Sequence, residues 1–104
     1  MSPGLSASGV DVAPLAPDTL GVRGALGFAT AAQALHALQD GLSAHANVTR
    51  LDLSGVTHAD SAGLACLLTL LGEASAHGRE LRLAQVPDGV RVLADVCGAG
   101  PLLG

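Results

Sequence analysis

The chain has 104 residues, the size of one small domain, and all of residues 1–104 are assigned to it. Hydrophobic residues make up 49% of the chain and aromatic residues only 1%, so the predicted core consists of Leu, Val and Ala with Phe28 as its only ring. The formal net charge of −4 argues against nucleic acid or an anionic membrane surface as the main partner, and it favours a neutral or basic protein surface.

The N-terminal part of the chain predicts a β-hairpin. Residues 1–12 are rich in Ser, Gly and Ala, and they are expected to form a loose tail or a weak edge strand. After a turn at 16–18, the alternation of Leu20 and Val22 is typical of a strand, and residues 13–15 are its expected hairpin partner.

The middle of the chain predicts a helix followed by a strand. Thr30 and Gln33 have the spacing of a capping box, and leucines follow at helical spacing, which indicates a helix over about 31–43. An alternating pattern then predicts a strand over 48–53, and a loop is expected over 54–59.

The remaining elements complete an α/β pattern. A second helix is predicted over 61–76 and is ended by Gly78, and a strand follows over 81–86. Pro87 opens a last helix that Gly98 ends. The order of these elements predicts a small mixed, mainly parallel four-stranded sheet with three or more helices packed on it.

An acidic residue and a hydroxyl stand side by side where the second helix begins. Ser61 is expected to cap the free N–H groups of the first helical turn, and Gly63 allows another surface to approach that turn closely. A phosphate on Ser61 would meet the positive end of the helix but would also repel Asp60. Ser61 and Asp60 are therefore candidates for a phosphoacceptor site as well as for a contact surface.

The second helix is predicted to bury one side and to present the other. At about 100° per residue, Leu64, Leu67, Leu68 and Leu71 fall on the core side. The other side carries one charged residue, so its small side chains are either simple fillers of an Ala-rich protein or an apolar patch kept for a partner. We favour the partner and expect it to contact Ser61, Ala62, Ala65, Cys66, Thr69, Leu70 and Glu73.

The sequence contains few motifs that would indicate a catalytic or metal-binding site. Ser61 lacks the Gly-x-Ser-x-Gly elbow of a hydrolase, and no Gly-rich phosphate loop with its lysine is found. His58 is interpreted as a polar loop residue and Asp52 as a hydrogen-bonded structural carboxylate. Cys66 and Cys97 form no Cys-x-x-Cys pair and are expected to be reduced packing residues. No enzyme activity and no cofactor are expected.

The first 22 residues contain no Lys or Arg, so the charged region of a secretory signal is missing. No apolar run in the sequence is long enough to span a bilayer. A cytoplasmic location without direct membrane insertion is therefore expected.

Three stretches of the sequence resemble a STAS domain, the fold of anti-sigma factor antagonists, over about residues 19–104. They are Gly-Ala-Leu at 24–26, Leu-Asp-Leu-Ser-Gly-Val at 51–56 and Asp-Ser-x-Gly-Leu at 60–64. Within that family the segments 63–71 and 92–103 are most similar to the small cytosolic STAS subunit of the Mla phospholipid-trafficking ABC transporter. The resemblance implies a non-enzymatic subunit that binds the transporter's ATPase, with the permease in the same complex, and that reaches the inner membrane through this partner.

The chain departs from the antagonist pattern at two positions. Those relatives usually have an acidic residue where this chain has Gly27, and they often have a second serine where it has Ala62. These departures weaken the case for the alternative function, which is that of an anti-sigma factor antagonist that binds an anti-sigma kinase and is switched by phosphorylation of Ser61. That alternative stays open because Asp60 and Ser61 are both present.

Overall fold

The computed structural model describes residues 10–98, in which four strands and three helices follow one another. The predicted tail or edge strand over 1–12 lies mostly outside the described residues, and its last three residues belong to the first strand. The elements are β1 (Val10–Ala16), β2 (Thr19–Leu26), α1 (Ala31–Ala44), β3 (Arg50–Ala59), α2 (Ser61–Ala76), β4 (Arg82–Ala84) and α3 (Asp88–Val96).

The four strands form one mixed sheet in the order β1-β2-β3-β4. β1 and β2 make the expected antiparallel hairpin, in which Val12 lies opposite Val22. β2 pairs with β3 in parallel, and β3 pairs with β4 in parallel, so that Leu51 lies between Leu20 and Leu83. The prediction of a small, mainly parallel sheet with helices packed on it is confirmed.

The core lies between the sheet and the helices. Leucine and valine side chains of β2 and β3 are fully buried against α1 and α2, where Leu38, Leu67 and Leu70 meet them. A second, smaller cluster joins Leu64 of α2 to Val90 and Ala94 of α3. None of the three helices in residues 10–98 is long and apolar enough to cross a membrane.

Two predicted strand boundaries are wrong. β3 does not end at 53: its residues continue to pair with β2 as far as Ala59, across register shifts that break the simple alternation of buried and exposed residues. β4 covers only Arg82–Ala84, because the next residue, Gln85, has a positive φ of 55° and leaves the extended conformation.

The helix boundaries are predicted more accurately. α2 spans the expected residues, and α1 extends only one residue beyond its predicted end. Gly78 and Gly98 follow α2 and α3 with φ of 69° and 75°, left-handed conformations that glycine adopts without steric cost.

Two residues assigned to the core lie on the surface. Phe28 is 88% exposed, because it belongs to the connection between β2 and α1, and the Leu and Val side chains close the core without it. Cys97 is exposed because it follows the last turn of α3.

Candidate functional site

The candidate site lies where the carboxyl ends of β2 and β3 meet the first turn of α2. Leu26 and Ala59 are the last paired residues of these parallel strands, and the Asp60 N–H donates to the Leu26 carbonyl at 3.2 Å. A Cβ on Gly63 would overlap that same carbonyl, so α2 can approach β2 this closely only with glycine there. The surface that approaches the first turn of α2 at Gly63 is therefore the domain's own strand.

Asp60, and not Ser61, caps α2. The Oδ1 atom of Asp60 accepts the N–H groups of Ala62 at 2.9 Å and of Gly63 at 3.1 Å. Asp60 has the extended backbone of an N-cap residue, whereas Ser61 is the first helical residue and is exposed. The predicted capping role of Ser61 is wrong, because the carboxylate one position earlier already satisfies these N–H groups.

The second oxygen of Asp60 reaches across to the β2–α1 loop, residues 27–30. Its Oδ2 accepts the Phe28 N–H at 3.0 Å. Hydrogen bonds from the Gly63 and Phe28 N–H groups are the main causes that hold the pKa of Asp60 below its usual value; desolvation opposes them, and the Ala62 N–H and His58 add to the lowering. Both carboxylate oxygens are occupied, so Ser61 is the better candidate phosphoacceptor of the two.

Thr30 organises the other end of the β2–α1 loop. Its hydroxyl donates to the Ala25 carbonyl at 2.8 Å and accepts the Gly27 N–H at 2.9 Å, while its own N–H donates to the Gly27 carbonyl at 3.0 Å. The predicted capping box with Gln33 does not form, because the Thr30 side chain makes no cap hydrogen bond. Thr30 instead fixes the turn that leads from the sheet into α1.

Five of the seven predicted partner-binding residues form an accessible surface, which we call the α2 strip: Ser61, Ala62, Ala65, Thr69 and Glu73. Ala62 is half-buried and the other four are exposed, in a row with four-residue spacing. The Thr69 hydroxyl donates to the Ala65 carbonyl at 2.8 Å, and the Glu73 carboxylate accepts from Gln39 of α1 at 2.9 Å. The strip carries no charge before Glu73.

The outward orientation predicted for Cys66 and Leu70 is wrong. Cys66 is 5% exposed and Leu70 is 1% exposed, because both belong to the main core. Leu68 and Leu71, which were expected in the core, are only half-buried. The five leucines of α2 cover a sector of about 160°, nearly half of the helix circumference, so their spacing does not fix the direction of the buried side. The true buried side is rotated by about a quarter-turn from the predicted one.

Burial raises the pKa of the Cys66 thiol to about 11, which keeps it protonated at neutral pH and agrees with a packing role. Asp52 is hydrogen-bonded as expected, since its Oδ1 accepts the Ser54 N–H at 2.8 Å and the Ser54 hydroxyl at 2.6 Å. His58 is exposed. In residues 10–98 no group of three or more His, Cys, Asp or Glu is arranged to hold a metal ion.

Phe28 is the surface residue of this region that the sequence interpretation missed. Phe28 directly follows Gly27 and lies in a connection between a strand and a helix. Such connections usually run over the protein surface, so this position indicates an exposed side chain. The expectation that this ring is buried rests on its hydrophobicity alone.

Comparison with known proteins agrees with this architecture. The SpoIIAA anti-sigma factor antagonist in its unphosphorylated form is 20% identical, with a TM-score of 0.66 over 88% of this chain and 83% of that chain. SpoIIAA, the Bacillus cell fate determinant, in the phosphorylated form is 19% identical, with a TM-score of 0.62 over 88% and 86% of the two chains. The structure of SLC26A9 is 19% identical, with a TM-score of 0.64 over 78% of this chain but only 16% of that one.

These identities support a shared fold and nothing finer. No curated protein sequence matches the chain. A family model described as "Mlab, STAS domain" matches residues 11–104, which include every described element except the first residue of β1. The chain therefore belongs to the STAS domain family.

Proposed function

We propose that this chain is a non-enzymatic STAS subunit that binds the cytosolic ATPase of a phospholipid-transport ABC complex of the Mla type and supports its assembly and activity. The permease belongs to the same complex, and the chain is cytoplasmic and reaches the inner membrane only through the ATPase. The α2 strip is the observation that carries the proposal. The family description "Mlab, STAS domain" supports the same assignment.

The α2 strip suits close packing against another protein. Ser61, Ala65 and Thr69 lie on successive turns and extend over about 12 Å of helix. Their short side chains let a partner backbone approach, and this part of the strip, before Glu73, has a low desolvation penalty because it carries no charge. A stable interface covers about 800 Å² of each partner, so residues beside the strip must contribute to it as well.

Thr69→Arg tests the proposal with the purified chain and the purified ATPase of an Mla-type transporter from the same organism. An arginine in the packed interface would be buried without a partner, so we expect binding to weaken by at least about a hundredfold. Thr49→Arg is the matched control, because Thr49 is also exposed but lies before β3, at the opposite end of the sheet. Both variants are expected to melt within a few degrees of the wild type. Equal binding by the two variants would contradict the proposed contact.

The second candidate function is an anti-sigma factor antagonist switched by phosphorylation. The exposed Ser61 hydroxyl favours it, because Asp60 performs the capping and leaves this hydroxyl accessible to a kinase. Ser61→Ala separates the two functions. A transporter subunit should bind its ATPase only modestly less well with alanine, whereas an antagonist should bind its kinase constitutively. Phosphate on Ser61 in cells, lost when a neighbouring kinase gene is deleted, would decide for the antagonist.

A further inference from the structure

The only aromatic side chain of the chain is displayed to solvent. Phe28 is 88% exposed, although burial of a phenylalanine contributes about 1.5–3 kcal/mol to folding. Single exposed apolar side chains are common on protein surfaces, so this exposure assigns no role by itself. The hydrogen bonds of the loop that carries the ring provide an independent observation.

The β2–α1 loop is held in place on both sides of Phe28. The Phe28 N–H donates to Asp60 Oδ2 at 3.0 Å, and the Thr30 N–H donates to the Gly27 carbonyl at 3.0 Å. The bond to Asp60 joins residues 32 positions apart, so it ties the loop to another element of the fold. A ring on a loop whose backbone is ordered loses less conformational entropy on binding than a ring on a mobile loop, which suits an interface anchor.

Asp60 links the loop that carries this ring to the first turn of α2. One carboxylate oxygen caps α2 and the other binds the Phe28 N–H, so Phe28 and Ser61 flank the same side chain. The glycine at position 27 leaves room for the Asp60 carboxylate, because a Cβ at that position would lie only 3.2 Å from Asp60 Oδ2. The backbone of Phe28 and the start of the α2 strip therefore meet at Asp60.

The charge of this surface indicates the chemistry of its partner. α2 carries no Lys or Arg, while Asp60 stands at its start and Glu73 stands near its end. An exposed phenylalanine and a row of small uncharged side chains, with a carboxylate at each end of the row, are complementary to an apolar pocket flanked by basic side chains.

We infer that Phe28 is the anchor of the interface, inserted into an apolar pocket of the ATPase that Lys or Arg side chains flank. Asp60 is a positioning residue that holds the loop carrying the ring through the Phe28 N–H. This inference rests on the proposed function and extends it from the α2 strip to the β2–α1 loop.

Phe28→Ala tests the anchor by calorimetric titration of the full-length chain with the purified ATPase. We expect the affinity to fall by about tenfold or more, as for a central aromatic residue of an interface, with little change in melting temperature. Leu15→Ala is the matched control, because Leu15 is 60% exposed but lies in β1, away from α2. We expect this control to bind like the wild type.

Asp60→Asn tests the positioning role. The amide offers one acceptor oxygen in place of two, so either the cap or the bond to Phe28 is lost. We expect faster hydrogen exchange at the Phe28 N–H and weaker binding. In high salt, which screens the charge of Asp60, binding by the Phe28→Ala, Asp60→Asn double variant should be no weaker than by Phe28→Ala alone, because the remaining effect of Asp60 acts through the ring. Additive losses would show that Asp60 acts independently.

The outcomes separate this inference from the proposed function. If the wild-type chain fails to bind the ATPase, the proposed function is wrong and the anchor assignment fails with it. If the wild type binds and Phe28→Ala binds equally well, only the anchor is wrong. If Phe28→Ala instead abolishes self-association of the chain in gel filtration, the ring belongs to an interface between copies, and the pocket on the ATPase is overturned.

Discussion

Two glycines of α2 should respond in opposite directions to the same substitution. A Cβ on Gly63 would lie 2.8 Å from the carbonyl carbon of Leu26 and 2.9 Å from the Cβ of Leu26. These atoms belong to β2, which cannot move away without disturbing its pairing with β3. Gly72 is exposed in the same helix, and a Cβ there has no heavy atom within 4 Å. Gly63→Ala should therefore destabilise the domain, and Gly72→Ala should stabilise it.

The magnitudes follow from two opposing effects. Alanine is favoured over glycine inside a helix by about 1 kcal/mol, and Gly72→Ala should gain up to that amount. Gly63→Ala receives the same gain but also the cost of forcing α2 away from β2, about 1–3 kcal/mol for ordinary overpacking and more against backbone atoms. We expect a net loss of about 2 kcal/mol, or roughly 8–16 °C in melting temperature for a domain of this size.

Urea denaturation of both purified variants, followed by circular dichroism, measures these changes in the free energy of unfolding. A domain in which Gly63→Ala is as stable as Gly72→Ala would refute the close approach of α2 to β2, and with it the geometry that positions Asp60.

Three further predictions concern stability and reactivity. Arg79→Met should destabilise the domain by about 2–4 kcal/mol in urea denaturation, because the guanidinium donates to the carbonyls of Leu42 at 2.6 Å, His45 at 2.7 Å and Val48 at 3.1 Å; an unchanged midpoint would contradict these bonds. The lowered pKa of Asp60 contributes stability above its unfolded pKa of about 4, which is lost as the pH falls through the folded pKa. Asp60→Asn should therefore flatten the acid side of the stability profile, and a profile equal to the wild type would refute this. Exposed Cys97 should react quickly with a thiol reagent while buried Cys66 reacts only on unfolding, as mass mapping of the labelled cysteines would show; equal rates would contradict the burial of Cys66.

The sequence predicts the fold well where local signals are strong. The leucine repeat and Gly78 determine the bounds of α2, and the turn before Leu20 indicates the hairpin, because caps and turns act over a few residues. The extension of β3 to Ala59 depends on pairing with β2 across shifted register, which no local alternation reveals.

The candidate site is less predictable than the fold because it depends on packing. Ser61 and Thr69 are exposed as expected, but Leu70 is buried, since the side of α2 that meets the sheet is decided by α1 and β3 and not by the helix alone. The position of Phe28 is unpredictable for the same reason. Hydrophobicity predicts that its ring is buried, while the hydrogen bond from its N–H to Asp60 depends on the tertiary structure.

An experimental structure of the chain bound to the purified ATPase tests the central claim most directly. We expect Ser61, Ala65 and Thr69 to be buried against the ATPase and the Phe28 ring to lie in an apolar pocket beside them. A complex in which the α2 strip stays exposed to solvent while the ATPase covers Leu15 and the sheet would contradict the proposed interface.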